Sequence, residues 1–416
     1  MRPKLFRDPV HDIIAYDQDD PVEATLLALV DAPEVQRLRR VRQLGMTFLV
    51  FHGAEHSRFT HSMGVCHLAR RMYDQLWPRG DAEQRLAVAA AALLHDVGHG
   101  PLSHVVERVT GIHHETTTAA VLLDPGRAAH RILAAVDPHL PARVVGLLSK
   151  GGGPAGDLVS SQLDADRLDY ILRDALCTGV KIGAFDLARI LGMLQVVDAR
   201  VAVNERAIEA VEGYLIARFH MYKQVYLHKA SRSAEKMLEA AFARAHLVAP
   251  ALDGPLGRLA SGRDLKPEDI VALDDDDLWG LLKRWRDDAD PILAELSAGL
   301  LGRGLFKTVE LPPDDPRGHA AVIAEAREEA ARAGADPEWH VLVDHGRDHP
   351  YTPYQAGLKA QPIHIHTRSG HLQPIEARSE LVALLGRSAH EVVRLCVPAR
   401  FKAVVERVVG GAALLV

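Results

Sequence analysis

The sequence predicts a mainly α-helical protein with a smaller α/β region towards its C-terminal end. Three observations carry this. Apolar residues recur at three- and four-residue spacing between residue 22 and roughly residue 300. From about Gly304 short β-branched runs replace that pattern. The composition, 48% hydrophobic and 25% charged, is that of a folded chain rather than a disordered one.

Taken in order, residues 31–45 (DAPEVQRLRRVRQLG), 61–76 (HSMGVCHLARRMYDQL) and 81–98 (DAEQRLAVAAAALLHDVG) each read as a helix. Asp31 and Asp81 are the expected N-caps, Gly45 and Gly98 the expected stops. Lys150–Gly156 (KGGGPAG) reads as a loop, and Ala249–Asp277 as a Pro- and Asp-rich connector before a helix at Leu278–Arg286. Beyond it, LFKTVEL, WHVLVD, PIHIHT and VVRLCV read as strands, with helices at Ala320–Ala333 and Arg378–Leu385. The expected division is residues 1–300 and 301–416, within the two or three domains of about 150 residues that this length permits.

Charge and cysteine content exclude some functions. With 49 Lys and Arg against 55 Asp and Glu, and no basic tail, nothing marks a dedicated nucleic-acid binder. Cys66, Cys177 and Cys396 are too few and too scattered for a disulfide framework or a CxxC metal site, which fits a reducing compartment. The start, MRPKLFRDPVHD, lacks an apolar signal-peptide core, and the longest apolar run, Leu86–Leu94, is too short to span a bilayer. A cytoplasmic protein without a membrane partner is expected.

Histidine is abundant, 23 in all, and nine of them fall between His52 and His114. His61 in SRFTHSMG, the pair His95-Asp96 in LLHDVGHGPLSH, and Asp166 in LDADRLDYILRD would supply two imidazoles and two carboxylates. That mixture suits Fe, Mn, Ni or Zn better than Ca, and leaves positions open for water and substrate. An HD dipeptide alone carries almost no information, and a lone buried His is more often a satisfied core residue. A helix that ends in HD and runs into GHGP is more specific, because it puts two donors at a helix end beside an open loop. Asp166, Tyr170 and Asp174 recur every four residues and so share one helical face, with Arg173 nearby. The bland alternative there is a solvated amphipathic face.

In this order RFTH, HDVGHGPLSH, HHET and DADRLDYILRD resemble the HD-domain deoxynucleoside triphosphate (dNTP) triphosphohydrolases, a family with mammalian and bacterial members. The resemblance begins at KLFRDPVHD and reaches VYLHKA, so it covers the first half strongly and the C-terminal region loosely. It implies an HD-domain helical bundle over residues 1–300, with an oligomerisation or regulatory role for 301–416. It implies that His61, His95, Asp96 and Asp166 bind the metal, with Mg²⁺ accompanying the substrate triphosphate. Water would attack the α-phosphorus and release deoxynucleoside and intact triphosphate. Imidazole suits the proton donor to the 5′-oxygen. The resemblance gives that role to His114, oriented by Glu115 or Glu107, while the adjacent His113 stays an alternative. His99 and His104 match positions that face the phosphates.

The resemblance further assigns Arg58 and Arg218 to the triphosphate, where a planar guanidinium can donate two parallel hydrogen bonds. Gln43 with Leu44, Tyr170 and Asp174 fall to the sugar, and Tyr226 to packing against C2′. Two positions depart from the family pattern. Leu227 replaces a base-contacting Gln, and Arg167 replaces a Lys beside the metal aspartate. Lys4, Asp31, Gln36 and Arg39 match positions that bind an activating guanine nucleotide, GTP or dGTP, at a subunit interface in dimers that pair into tetramers. Two other readings are carried forward. One is an HD phosphohydrolase acting on a different nucleotide ester, although neither a GYP motif nor an HDxxED run is present. The other is a nucleotide-sensing scaffold without turnover.

Overall fold

The computed structural model describes residues 2–149, 152–248, 252–315, 317–348, 351, 362–387 and 390–411. Its centre is the helix Ala82–Leu94, in which every residue from Leu86 to Leu94 is buried. Asp81 caps it, accepting from Gln84 N at 2.9 Å, as expected. A helix covered on all sides needs small residues, and the run of Ala lets neighbours approach closely. Those neighbours are Arg58–Leu76, Pro21–Val30 and Leu140–Leu148. Ala165–Thr178 then packs on Arg58–Leu76, so the segments holding His61, His95 and Asp166 become adjacent.

Before them lies a hairpin that the helical periodicity does not announce, β1 (Lys4–Asp8) and β2 (Asp12–Tyr16), antiparallel with Phe6 opposite Ile14. A second one interrupts the helical half, β3 (Leu194–Val197) and β4 (Arg200–Asn204). The C-terminal strands form where expected: β5 (Lys307–Glu310), β6 (Leu342–Asp348), β7 (His364–His366) and β9 (His390–Val397), with the unanticipated β8 (Leu372–Pro374). One sheet runs β5-β9-β6, backed by the helices His319–Arg332 and Lys402–Gly410. The other runs β3-β4-β7-β8, with β4 and β7 parallel, so it joins strands from both sides of residue 300.

Several local expectations are corrected. Residues 31–45 are not one helix but a short helix, Pro33–Arg37, a 3₁₀ turn at Leu38–Arg40 and a second 3₁₀ turn from Gly45. Asp31 closes the preceding helix instead of capping this one, because Pro33 takes the first helical position and Ala32 stands at the cap. Gly45 starts its turn at φ +51°, where a Cβ would lie 2.9 Å from the carbonyl oxygen of Leu102. The His95 helix ends at Leu94 rather than Gly98, and Gly98 instead lets the backbones of His114 and Thr118 pass close by. The supposed connector holds the helices Gly254–Ser261 and Pro267–Ile270, and the next helix already begins at Asp275 under an Asp274 capping box. Of the expected loop, Lys150 and Gly151 lie outside the described residues, and Gly153–Gly156 is a helical turn.

Candidate metal centre

His61 lies in the first turn of Arg58–Leu76 and is fully buried. Its Nδ1 donates to Asp169 Oδ2 at 2.8 Å. That bond turns Nε2 toward Asp166 Oδ1 at 3.0 Å and Asp96 Oδ2 at 3.9 Å, where it can bind a cation in place of a proton. His95, one residue past its helix, donates Nδ1–H to the Ala92 carbonyl at 2.8 Å. Its Nε2 stands 3.2 Å from Asp96 Oδ1 and 3.6 Å from Asp166 Oδ1. That nitrogen is buried and makes no hydrogen bond among the described residues.

These observations fit a divalent cation. Metal–donor bonds of about 2.1 Å separate neighbouring donor atoms by about 3 Å, the spacing found here. The donors of His61, His95 and Asp96 all lie within 4.8 Å of one another. The electrostatics agree. Burial would raise the carboxyls of Asp96 and Asp166, but Arg58 and His95 beside Asp96, and His61 and His95 beside Asp166, hold both below the usual range. Burial would lower His61, yet Asp166 and Asp169 carry it up to about 10. Such a cluster of carboxylates demands positive charge, which a cation supplies in place of a proton.

A second cluster adjoins the first. Glu107 accepts from His104 Nδ1 at 2.9 Å, from the His114 backbone N–H at 3.0 Å and from His114 Nδ1. Both Nε2 atoms are thereby left free of Glu107. His99 stacks on His114 with centroids 3.7 Å apart and planes 14° apart. Burial, then Arg58, holds His99 well below the ordinary histidine value. His113 caps the helix outside the cluster, and both it and Glu115 are exposed.

On the opposite side Asp174 accepts from His56 Nε2 at 2.7 Å and from the Tyr226 hydroxyl at 2.8 Å. Tyr226 ends a π-helical turn, Tyr222–Tyr226, a distortion common at functional sites. Its ring meets Tyr170 edge-on, centroids 6.1 Å apart. Gln43 has a buried, unpartnered Oε1, and Leu44 is partly buried against the core. Arg58 pairs with Asp96 and donates Nε–H to Ser103 Oγ at 2.7 Å. Arg167 pairs with Asp164 at 2.5 Å, and Arg218, over the Tyr222 ring, keeps a buried Nε without a partner. Arg173, expected near that face, points away from it. It turns inward to Asp169 and Asp8. Leu227 is buried behind Gly346. Gln36 accepts from Arg39 Nε at 2.8 Å, while Lys4 and Asp31 are exposed.

The sequence reading missed Asp169, His56 and His11. Asp169 carried a usable signal: it and Arg173 stand four apart on the apolar side of an amphipathic helix, where an unpaired charge could not be buried. His56 and His11 had none, because their partners are 118 and 158 residues away.

The helical scaffold and this donor set define a phosphohydrolase of the HD class, whose members hold a divalent metal. The chain belongs to the HD-domain family that carries an HD associated region. Residues 58–173 match the HD domain and residues 185–414 the HD associated region. It is 36% identical over 392 residues to an uncharacterized protein, YwfO, of Bacillus subtilis, covering 91% of this chain and 88% of that one. It is 29% identical over 299 residues to the deoxynucleoside triphosphate triphosphohydrolase SAMHD1 of Gallus gallus, covering 62% of this chain and 47% of the relative. The crystal structure of a phosphohydrolase from Bacteroides thetaiotaomicron superposes with a TM-score of 0.80 at 30% identity, covering 95% of this chain and all of that one. Among the described residues no helix is long and apolar enough to cross a membrane.

Proposed function

We propose that this protein hydrolyses deoxynucleoside triphosphates at the α-phosphorus, giving deoxynucleoside and inorganic triphosphate. One observation carries the reading. Asp166, Tyr170 and Asp174 stand at successive turns of one helix, so a cation ligand is followed along the axis by Tyr170 at about 6 Å and Asp174 at about 12 Å. A cation, the α-phosphorus it contacts and the sugar out to its 3′-hydroxyl follow one another in the same order.

A divalent cation (Fe, Mn, Ni or Zn) held by His61, His95, Asp96 and Asp166 would polarise the α-phosphoryl oxygens and acidify water. Mg²⁺ would accompany the triphosphate. Water oxygen bonds to phosphorus and the bond to O5′ breaks, so O5′ needs a proton. His114, held through Nδ1 by Glu107, would deliver it from Nε2, the free position of the ring. His99 and His104 would line the phosphates, with Arg58, Arg167 and Arg218 as cations. The unpartnered Arg218 Nε supports that role. Asp174 and Gln43 would hold the 3′-hydroxyl, and Tyr226 would pack on C2′, where a ribose hydroxyl meets the ring without a partner. Lys4, Asp31, Gln36 and Arg39 would take GTP or dGTP in a cytoplasmic dimer or tetramer, residues 301–416 serving assembly or regulation.

The test is product analysis over the four dNTPs with Mn²⁺, with and without GTP. Triphosphate and deoxynucleoside are expected, and Asp166→Ala should abolish their release. Pyrophosphate or monophosphate as the first product would overturn the reading.

A further inference from the structure

The carboxylate that orients His61 is itself held from the N-terminal hairpin. Asp169 has no solvent exposure. Its Oδ2 takes His61 Nδ1–H at 2.8 Å and Arg173 Nε–H at 2.8 Å. Its Oδ1 takes Arg173 Nη2–H at 2.9 Å and His11 Nε2–H at 2.7 Å. The main chain has been shaped around this group. A Cβ on Gly64, in the His61 helix, would lie 1.9 Å from Asp169 Oδ1 and 2.5 Å from Arg173 Nη2.

His11 belongs to the turn between β1 and β2, 158 residues before Asp169 in sequence. Asp8 Oδ1 sets that turn, accepting from Val10 N at 2.9 Å and His11 N at 3.0 Å. Asp8 Oδ2 accepts from Arg173 Nη1 at 2.9 Å, so one arginine bridges the hairpin carboxylate and the metal-side carboxylate. A two-stranded hairpin is marginal by itself, and its opposite face, with Leu5 and Ile13, is exposed. Its attachment rests on Ile14, Tyr16 and Phe6 against the core, on Arg70 donating to the Ala15 carbonyl, and on this polar junction.

We infer that His11 is a positioning residue for the cation site: by occupying Asp169 Oδ1 it holds the carboxylate that aims His61, so docking of the hairpin sets cation affinity. Without His11 the buried carboxylate keeps its two bonds from Arg173 but loses the one that seats Oδ1 from the hairpin, so the His61 Nδ1–H···Oδ2 bond is aimed less tightly. Linkage makes the effect reciprocal, so a bound cation must tighten the hairpin by the same factor. The inference rests on the metal-centre reading and is independent of which nucleotide is hydrolysed.

The experiment is Mn²⁺ titration of the metal-stripped full chain, followed by the electron paramagnetic resonance of free Mn²⁺. His11→Leu should bind about 10-fold more weakly than wild type, the low end of the about 10- to 100-fold cost of losing a residue that touches a ligand directly, because His11 acts through Asp169. His11→Gln, which keeps an N–H donor, should recover most of the loss. In wild type, saturating Mn²⁺ should slow hydrogen exchange in residues 4–16 by about tenfold or more. Affinity of His11→Leu within about twofold of wild type overturns the inference, as does unchanged exchange in the hairpin of Mn²⁺-loaded wild type. The exchange arm needs no variant to fold. Wild type that takes up no Mn²⁺ overturns the metal centre itself, a distinguishable failure.

Discussion

Replacing His56 with glutamine should change the pH dependence of stability in a defined direction. His56 is nearly enclosed and donates to Asp174 at 2.7 Å. Burial would lower its pKa, but Asp174 and then Cys177 outweigh that and raise it from 6.5 to about 9. A group whose folded value exceeds its unfolded value contributes fully below the unfolded value. The contribution is lost as pH rises through the folded one. Two and a half units at about 1.4 kcal/mol each amount to about 3.5 kcal/mol, of which about 3 kcal/mol falls between about pH 6 and pH 10. Urea unfolding of wild type and His56→Gln, followed by circular dichroism, should give a stability gap that narrows by about 3 kcal/mol between about pH 6 and pH 10. Taking the difference between the two proteins cancels the groups they share. A gap that stays constant across that range would refute the charged His56–Asp174 pair.

Two further outcomes are expected. His114→Gln should lower kcat by about 10²- to 10⁴-fold while KM stays within a few-fold, if His114, held by Glu107, is the proton donor proposed above; a loss carried entirely by KM would contradict it. Gly98→Ala should destabilise the protein by more than about 2 kcal/mol and slow turnover, since its Cβ would meet the His114 carbonyl and the Thr118 amide nitrogen, each at 2.3 Å. Unchanged thermal midpoint and kcat would show that the two backbones can part.

How much could be read beforehand varied with the kind of residue. Donor sets were legible because their chemistry is carried by residue type: His61, His95, Asp96 and Asp166 stand at the centre, with donor atoms 3.0 to 3.9 Å apart. The helices at 61–76 and 81–98 were legible from periodicity, their ends less so. Gly98 looked like a stop because glycine often is one, whereas its missing side chain serves contact with a distant helix. Arg173, expected near the face of Asp166, Tyr170 and Asp174, pairs instead with Asp169 and Asp8. Four-residue spacing says which residues align, but not which side meets another charged chain segment.

Local sequence alone determined the helical character, the donor chemistry and the order of the motifs, since these follow from side-chain identity and from repeats of a few residues. The tertiary structure decided which remote groups meet: His61 with Asp166 across 105 residues, His56 with Asp174 across 118, His11 with Asp169 across 158. Those pairings depend on how the buried faces of Arg58–Leu76, Ala82–Leu94 and Ala165–Thr178 pack. Periodicity marks a face as apolar without naming the surface that will cover it.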